Sequence, residues 1–208
     1  MIFTYNRAHV GDVLMVIIRE TNQKLDSERR GSVARIFTVD DNQTVAWNIF
    51  DVSTKIAIEG SGQVSLSDEA VATLNQDLEK EGFSERLIND STPKFVVGEI
   101  VEMTPHADSD HLNICQVAIS AQESVQIVAG APNAAVGLKT IVALPGAMMP
   151  SGSLIFPGKL RGEDSFGMMC SPRELALPNA PQKRGIIELD DMAVVGEAFD
   201  MAKHWQLA

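Results

Sequence analysis

The sequence predicts a small α+β domain over residues 1–90, followed by an all-β domain over residues 91–208. The second domain is predicted as a five-stranded barrel of the OB type. The first ninety residues combine β-rich segments with one segment of helical periodicity, whereas short β-rich segments alone follow. Between them lies a polar link, NDSTPK from Asn89 to Lys94, which is typical of a domain boundary.

The first domain is predicted from a strand, a hairpin and a helix. The apolar run from Val13 to Ile18 predicts a strand, and Ala34 to Asp51 predicts a hairpin with the polar DDNQ at its turn. Apolar residues then fall on one face at helical spacing: Leu66, Ala70, Val71, Leu74 and Leu78. Ser65 or Ser67 would cap this helix, and Gly82 would end it.

The second domain is predicted from five β-rich segments separated by glycines and prolines. In order they are FVVGEIVEM, LNICQVAI, VQIVAG, KTIVALPGA and GIIELD, with a C-terminal extension after them. From Ser124 to Gly158 the only charged residue is Lys139. Repeated prolines and glycines nevertheless argue against a membrane helix there, so we expect buried strands.

Composition and charge narrow the function classes. The net charge is −11, and the segments 1–91, 92–182 and 183–208 are each acidic overall. This excludes a strongly basic nucleic-acid binder, so any polyanion contact must come from a local cluster. Two cysteines, Cys115 and Cys170, are too few for a disulfide framework and fit a reducing cytosol. The N-terminus lacks the pattern of a secretory signal, so we expect a cytoplasmic protein.

The segment HADSDHLN, His106 to Asn113, raises the question of a metal site, because a divalent cation needs three or four converging ligands. In an extended segment residues 106, 108 and 110 would share one face, while residue 111 would point the other way. The other two histidines stand alone in the sequence. A solvated turn is the favoured interpretation, and we expect neither a metal nor another cofactor.

Residues 95–190 resemble the tRNA-binding OB domain of three groups: stand-alone bacterial tRNA-binding dimers, cytokine-like cofactors of synthetases, and the phenylalanyl-tRNA synthetase β-subunit N-terminal region. The segments that match in order and spacing are VGEIVEM, HADSDHLNICQV, QIVAGAPN, ALPGA, KLRGEDSFGMMCS, EL-A-L and GIIEL. The first half is similar to the domain that precedes this one in YtpR-type proteins. The resemblance implies a non-catalytic module that binds structured tRNA through one barrel face and its loops, and it implies no metal at HADSDH.

The sequence departs from the family pattern in the loop before the second predicted strand and within the third. Ala107 stands in place of the usual proline, Ser109 in place of an alanine, and Ala129 in place of a common cysteine. His111 stands where relatives often have a lysine, and it would be mostly neutral at pH 7. Asp110 occupies the family's acidic position, for which we favour a structural role in the turn.

The chemistry that RNA binding needs is a few cations, some hydrogen-bonding groups and apolar contacts for unpaired bases. The resemblance and these residue types together predict the RNA-binding set: His111, Asn133, Lys159, Arg161, Ser165, Met168, Ser171 and Arg173. Lys159 and Arg161 would point to the same side of a strand, and Gly167 would let backbone approach closely. Alternatives stay open, because Asn133 could equally cap a turn and Met168 could fill the core.

The expected partner is tRNA, with a homodimer and association with an aminoacyl-tRNA synthetase as further expectations, and no membrane. Two other classes of function remain. An OB domain that has lost strong RNA affinity could serve as a protein-interaction module, which the acidic charge favours. An enzyme built around HADSDH or Cys170 would lack a visible nucleophile–base pair and a complete ligand set, and no catalytic residue is predicted.

Overall fold

The structure is a computed structural model that describes residues 1–205. The chain forms two compact units, Met1–Thr92 and Pro93–Ala208. The last three residues of the predicted second domain, 206–208, lie outside the described part. No helix among the described residues is both long and apolar enough to cross a membrane.

The first unit is built on a six-stranded antiparallel sheet. Its strands are β1 (Ile2–Tyr5), β2 (Val13–Ile17), β3 (Leu25–Arg30), β4 (Val33–Thr38), β5 (Thr44–Phe50) and β6 (Gly62–Gln63), in the order β3-β4-β5-β2-β1-β6. The predicted strand at β2 and the predicted hairpin of β4 and β5 are confirmed. Alternate residues face inward, as the period of a strand requires, and Trp47 and Ile49 of β5 are fully buried.

One helix, α1 (Asp68–Lys80), covers this core. Ser67 caps it, because its side chain accepts a hydrogen bond from the Ala70 N–H, and Gly82 follows its end with φ of 81°. The predicted face is confirmed, since Val71, Leu74 and Leu78 are all buried in the core cluster. With six strands and one helix the unit is mostly β, so the α+β prediction holds only in part.

The second unit contains a nearly closed antiparallel barrel of five strands. They are β7 (Phe95–Pro105), β8 (Asn113–Ala118), β9 (Ser124–Ala129), β10 (Lys139–Ala143) and β13 (Met168–Met169), in the order β13-β10-β7-β8-β9. A register shift between Ile100 and Glu102 lets the long β7 curve around the barrel. The OB-type prediction is confirmed at this level, and four of the five predicted strands are present.

The fifth strand differs from the prediction. The segment GIIELD forms no regular strand, and the short β13 takes the remaining place in the sheet. GIIELD is nevertheless attached to the barrel, because the Ile187 N–H bonds to the Cys170 carbonyl and the Leu189 N–H to the Lys139 carbonyl. Ile186 and Ile187 are buried and Leu189 is half-buried, which explains why the sequence pattern indicated a strand.

Two further elements complete the second unit. A hairpin of β11 (Gly158–Leu160) and β12 (Glu163–Ser165) lies along the outer edge of β9, and a single helical turn, α2 (Met201–His204), follows the barrel. The Phe166 N–H bonds to the Gln126 carbonyl, and the Val128 N–H bonds to the Ser165 hydroxyl. These two contacts draw the β12–β13 connection against β9 and nearly close the barrel.

Candidate nucleic-acid interface

An open pocket of about 380 Å³ lies beside the last residues of β9. Its lining comes from four separate segments of the second unit: His111–Leu112, Ile127–Pro132, Met168–Glu174 in part, and Arg184–Ile186. The volume falls within the range of ~300–1,000 Å³ that is typical of small-molecule sites. The barrel thus brings residues far apart in sequence to one concave surface.

The pocket has an apolar floor and a polar rim. Ile127, Met169 and Ile186 are buried, and Met168 is half-buried. Exposed polar side chains surround them: His111, Arg173, Glu174 and Arg184. The guanidinium groups of Arg173 and Arg184 make no hydrogen bond or ion pair with any other of residues 1–205. The arrangement can accept a flat apolar group below and an anion above.

One wall of the pocket is the turn after β13. The Ser171 N–H donates to Glu174 Oε2 at 2.7 Å, and the Glu174 N–H donates to Ser171 Oγ at 3.3 Å. This reciprocal pair is the capping-box arrangement, which satisfies two backbone donors at the start of a turn. It fixes the backbone from which Arg173 projects and leaves the hydroxyl proton of Ser171 free to donate.

The opposite part of the lining is held by Asn133. Its Nδ2 donates to the Ile186 carbonyl at 3.0 Å and to Glu188 Oε1 at 2.8 Å, while its Oδ1 accepts the Ile186 N–H at 2.9 Å. Both N–H donors and the carbonyl oxygen of the amide are therefore bonded to residues 186–188. Asn133 positions the segment that carries Arg184 and Gly185.

Gly167 lies where the floor meets the barrel. Its φ is 149°, and a Cβ atom at this position would be 2.8 Å from the Ala143 carbonyl oxygen. Only glycine allows the backbone to pass so close to β10. Ser165 is equally committed, because its hydroxyl accepts the Val128 N–H at 3.2 Å. These two residues place Met168 and Met169 against the end of β9.

The hairpin of β11 and β12 carries the other two predicted cations. Arg161 and Gly162 form its turn with φ of 49° and 92°, so Arg161 does not continue the strand as predicted. Its Nη1 donates to the Asp108 carbonyl at 2.9 Å. Lys159 Nζ lies 2.9 Å from Asp164 Oδ1, and this bond raises the pKa of the lysine. Both hairpin cations therefore already have partners within the chain.

The histidines and aspartates of HADSDH separate into two environments. His106 is buried, and its Nδ1 accepts the Asp108 N–H at 3.0 Å. The His111 side chain is 57% exposed, and its Nδ1 lies 3.0 Å from Asp110 Oδ1. The hydrogen bond with His111 lowers the pKa of Asp110. Across residues 1–205 no three His, Cys, Asp or Glu side chains form a group that could hold a metal.

Cys170 lies behind the pocket floor and is fully buried. Burial raises the pKa of its thiol to about 12, and burial also raises the pKa of Cys115. Both side chains are therefore protonated near neutral pH, whereas nucleophilic cysteines have depressed pKa values.

The structure gathers half of the predicted RNA-binding residues at the pocket: His111, Met168, Ser171 and Arg173. Lys159 and Arg161 lie on the adjoining hairpin, while Asn133 and Ser165 support the pocket from behind. The prediction missed Arg184, although the basic pair Lys183–Arg184 directly precedes GIIEL. It also missed Phe166, an aromatic side chain 39% exposed within the quoted SFGMMCS segment.

Comparison with known proteins gives the class of this domain. Residues 95–198 match a family model described as "Putative tRNA binding domain", and residues 20–90 match one described as a domain of unknown function. The chain is 41% identical over 196 residues to the "Putative tRNA-binding protein YtpR" of Bacillus subtilis (strain 168). That match covers 94% of this chain and 97% of the relative, so the chain belongs to the YtpR family.

Synthetase subunits are also similar, over a smaller part of their length. The chain is 45% identical over 131 residues to the phenylalanine–tRNA ligase beta subunit of Rhodospirillum rubrum, covering 61% of this chain and 16% of the subunit. For the same subunit of Aromatoleum aromaticum the identity is 47% over 102 residues, covering 49% and 12%. A solved structure, the C-terminal domain of Plasmodium vivax p43, aligns at 20% identity with a TM-score of 0.37 over 52% of this chain and 61% of that chain.

Proposed function

We propose that this chain binds tRNA through its second unit and catalyses no reaction on it. The observation that carries the proposal is the apolar-floored pocket with Arg173 and Arg184 on its rim, inside the segment that matches the tRNA-binding family model. Cations for phosphates and apolar surface for bases are the two elements that RNA recognition combines. An acidic chain with net charge −11 can supply them only in such a local arrangement.

The predicted residues take two kinds of role in this proposal. His111, Met168, Ser171 and Arg173 contact RNA at the pocket together with Arg184, while Lys159 and Arg161 contact phosphates from the hairpin. Asn133 and Ser165 position the pocket, because their polar atoms are already bonded to the protein. This division rests on the hydrogen bonds and exposure of the individual side chains.

The remaining expectations are part of the same proposal. Residues 91–208 form the tRNA-binding domain, and residues 1–90 form a separate domain. A homodimer would double the cations available to one tRNA, and linked sites can raise affinity by orders of magnitude. The similarity to phenylalanine–tRNA ligase beta subunits supports association with an aminoacyl-tRNA synthetase or assistance to aminoacylation. A cytoplasmic location is part of the proposal.

A second candidate is a protein-interaction module that no longer binds RNA strongly. The overall acidity favours it, because a charge of −11 repels a polyanion at long range. Both hairpin cations, Lys159 and Arg161, already have partners within the chain, which also favours a protein-interaction module.

Titration of the full chain with tRNA at about 0.05 M and about 0.15 M salt separates the two candidates. We expect binding that weakens with salt along a shallow slope, because only about four phosphates are neutralised. Lys159→Ala/Arg161→Ala should lose about two- to fivefold in affinity, the scale of exposed charge contacts. Absence of wild-type binding at the lower salt would contradict tRNA binding and leave the interaction module.

A further inference from the structure

We infer that the pocket receives one unpaired nucleobase of the bound RNA, with the adjoining phosphate held by Arg173 and Arg184. This inference rests on the proposed function and names the structural class of RNA that the site selects, namely a single-stranded segment rather than a duplex. It is carried by the shape of the pocket, the chemistry of its floor and the availability of its two guanidinium groups.

The apolar floor of the pocket offers a surface for the flat face of a nucleobase. The floor joins buried Ile127, Met169 and Ile186 with the half-buried Met168, which lines the pocket beside them. A nucleobase is flat and has apolar faces, so it gains by covering such a surface whatever its sequence identity. The thioether of Met168 is polarisable and adapts to an aromatic ring.

The rim of the pocket carries two arginines. Arg173 projects from the turn after β13 and Arg184 from the segment fixed by Asn133, so two independently held backbones each present one cation. In the described part of the chain neither guanidinium is committed to a carboxylate. A guanidinium binds phosphate oxygens through paired N–H groups, which makes arginine better suited to this task than lysine.

A duplex does not suit the apolar floor of the pocket. In an RNA duplex the bases are stacked on each other, and proteins reach mainly phosphates and 2′-hydroxyls along the outside. Such a surface could touch the rim but could not cover the apolar floor. The exposed hairpin with Lys159 and Arg161 differs, because it can contact phosphates of paired or unpaired RNA alike. The pocket therefore supplies the preference for unpaired RNA.

The experiment is a competition against labelled tRNA bound to the full chain at low salt. The competitors are an unlabelled single-stranded hexaribonucleotide, the duplex of the same sequence and an unrelated peptide. The wild type is compared with Arg184→Ala and with its neighbour Lys183→Ala, which removes another exposed cation that lies outside the pocket lining. Met168→Ala is compared with Met192→Ala, whose side chain is 84% exposed and outside the pocket.

We expect the single strand to compete at least about fivefold better than the duplex, the low end of stacking contributions per base. Arg184→Ala should weaken the single strand about tenfold, the scale of a charge-assisted hydrogen bond, with Lys183→Ala close to wild type. Met168→Ala should remove the preference for the single strand, and Met192→Ala should retain it. Circular dichroism melting shows that each variant remains folded.

Two results would overturn the inference while leaving tRNA binding intact. One is equal competition by single strand and duplex, and the other is an identical response of the pocket variants and their controls. Displacement of tRNA by an unrelated peptide but by neither RNA would also overturn it, since the pocket would then hold a protein side chain. If the wild type binds no tRNA at low salt, the proposed function fails first and the inference falls with it.

Discussion

The pocket and the neighbouring hairpin offer two cations each, yet they are built in opposite ways. The pocket is assembled from segments far apart in sequence, such as Asn133 and Ile186, whose mutual hydrogen bonds fix the rim. The hairpin is a local element closed by its own turn, and its cations are bonded to Asp164 and to the Asp108 carbonyl. Among the described residues the two pocket arginines have no side-chain partner. Lys159 pairs with Asp164 inside the hairpin, and Arg161 bonds to the Asp108 carbonyl, 53 residues away in sequence.

The largest expected effect is a difference in stability between two glycine substitutions, one in the pocket and one in the hairpin. Gly167→Ala would place a Cβ 2.8 Å from the Ala143 carbonyl oxygen, whereas a Cβ at Gly158 in β11 meets nothing within 4 Å. We expect Gly167→Ala to lower the free energy of unfolding of the second unit by ~1–3 kcal/mol or more, the usual cost of overpacking. Gly158→Ala should stay within about 0.5 kcal/mol of wild type, as surface changes do.

Thiol alkylation along a urea gradient measures this difference in the second unit alone, because both cysteines of the chain lie there. In the folded unit burial raises the pKa of Cys170 to about 12, so the thiol is protonated and protected at pH 8. Unfolding returns the pKa toward its ordinary value and exposes the sulfur, and the labelling midpoint then reports stability. Equal midpoints for the two alanine variants would contradict the close approach at Gly167.

How far the sequence predicts each region follows from the same contrast. Local patterns predict the helix α1, the hairpin of β4 and β5, and four barrel strands, since periodicity and turn residues lie within each segment. The two-residue β13 is too short to leave a pattern, and Ile186 and Ile187 of GIIELD are buried outside any regular strand. A burial pattern alone cannot distinguish that case from a true strand.

The candidate site shows the same limit. Met168 and Arg173 could be proposed from residue type and family resemblance, but Arg184 becomes part of the site only when the fold brings residues 184–186 beside β9. Asn133 was open between an RNA contact and a turn cap, and three hydrogen bonds to residues 186–188 now favour a positioning role. Arg161 lies in a turn because the Arg161–Gly162 pair adopts positive φ at both residues.

A smaller effect is expected from Asn133→Ala, which removes the bonds that hold one pocket wall. The Ile186 N–H and carbonyl would lose their partners, at a cost of ~1–3 kcal/mol for a buried unsatisfied group. The thiol-labelling midpoint should fall accordingly, and tRNA affinity should fall with it because Arg184 is no longer positioned. Asn113→Ala is the matched control, since the described residues offer its side chain no hydrogen bond.

The two readings of Asn133 differ in one observable. A positioning residue lowers stability and affinity together, whereas a residue that only contacts RNA lowers affinity at unchanged stability. A normal labelling midpoint with weakened tRNA binding would therefore return Asn133 to the RNA-contact set and contradict the role drawn from its hydrogen bonds.

The smallest expected effect tests whether the ion pair between Lys159 and Asp164 reduces the contribution of the hairpin to tRNA affinity. In the wild type the Asp164 carboxylate lies 2.9 Å from Lys159 Nζ and raises the pKa of that lysine. Asp164→Asn removes this carboxylate. The lysine pKa should then fall toward its ordinary value, which still leaves the group charged at pH 7. Freed from its partner, Lys159 should raise tRNA affinity by less than about threefold, since exposed pairs contribute little.

Glu163→Gln is the control, because it deletes the same charge from the neighbouring position, where the carboxylate acts on Lys159 only through space. If both variants gain the same tRNA affinity, the hairpin responds to net charge alone, and the ion pair has no effect of its own. A larger gain in tRNA affinity for Asp164→Asn, together with a steeper loss of affinity with salt, shows that the ion pair itself holds Lys159 back from the RNA.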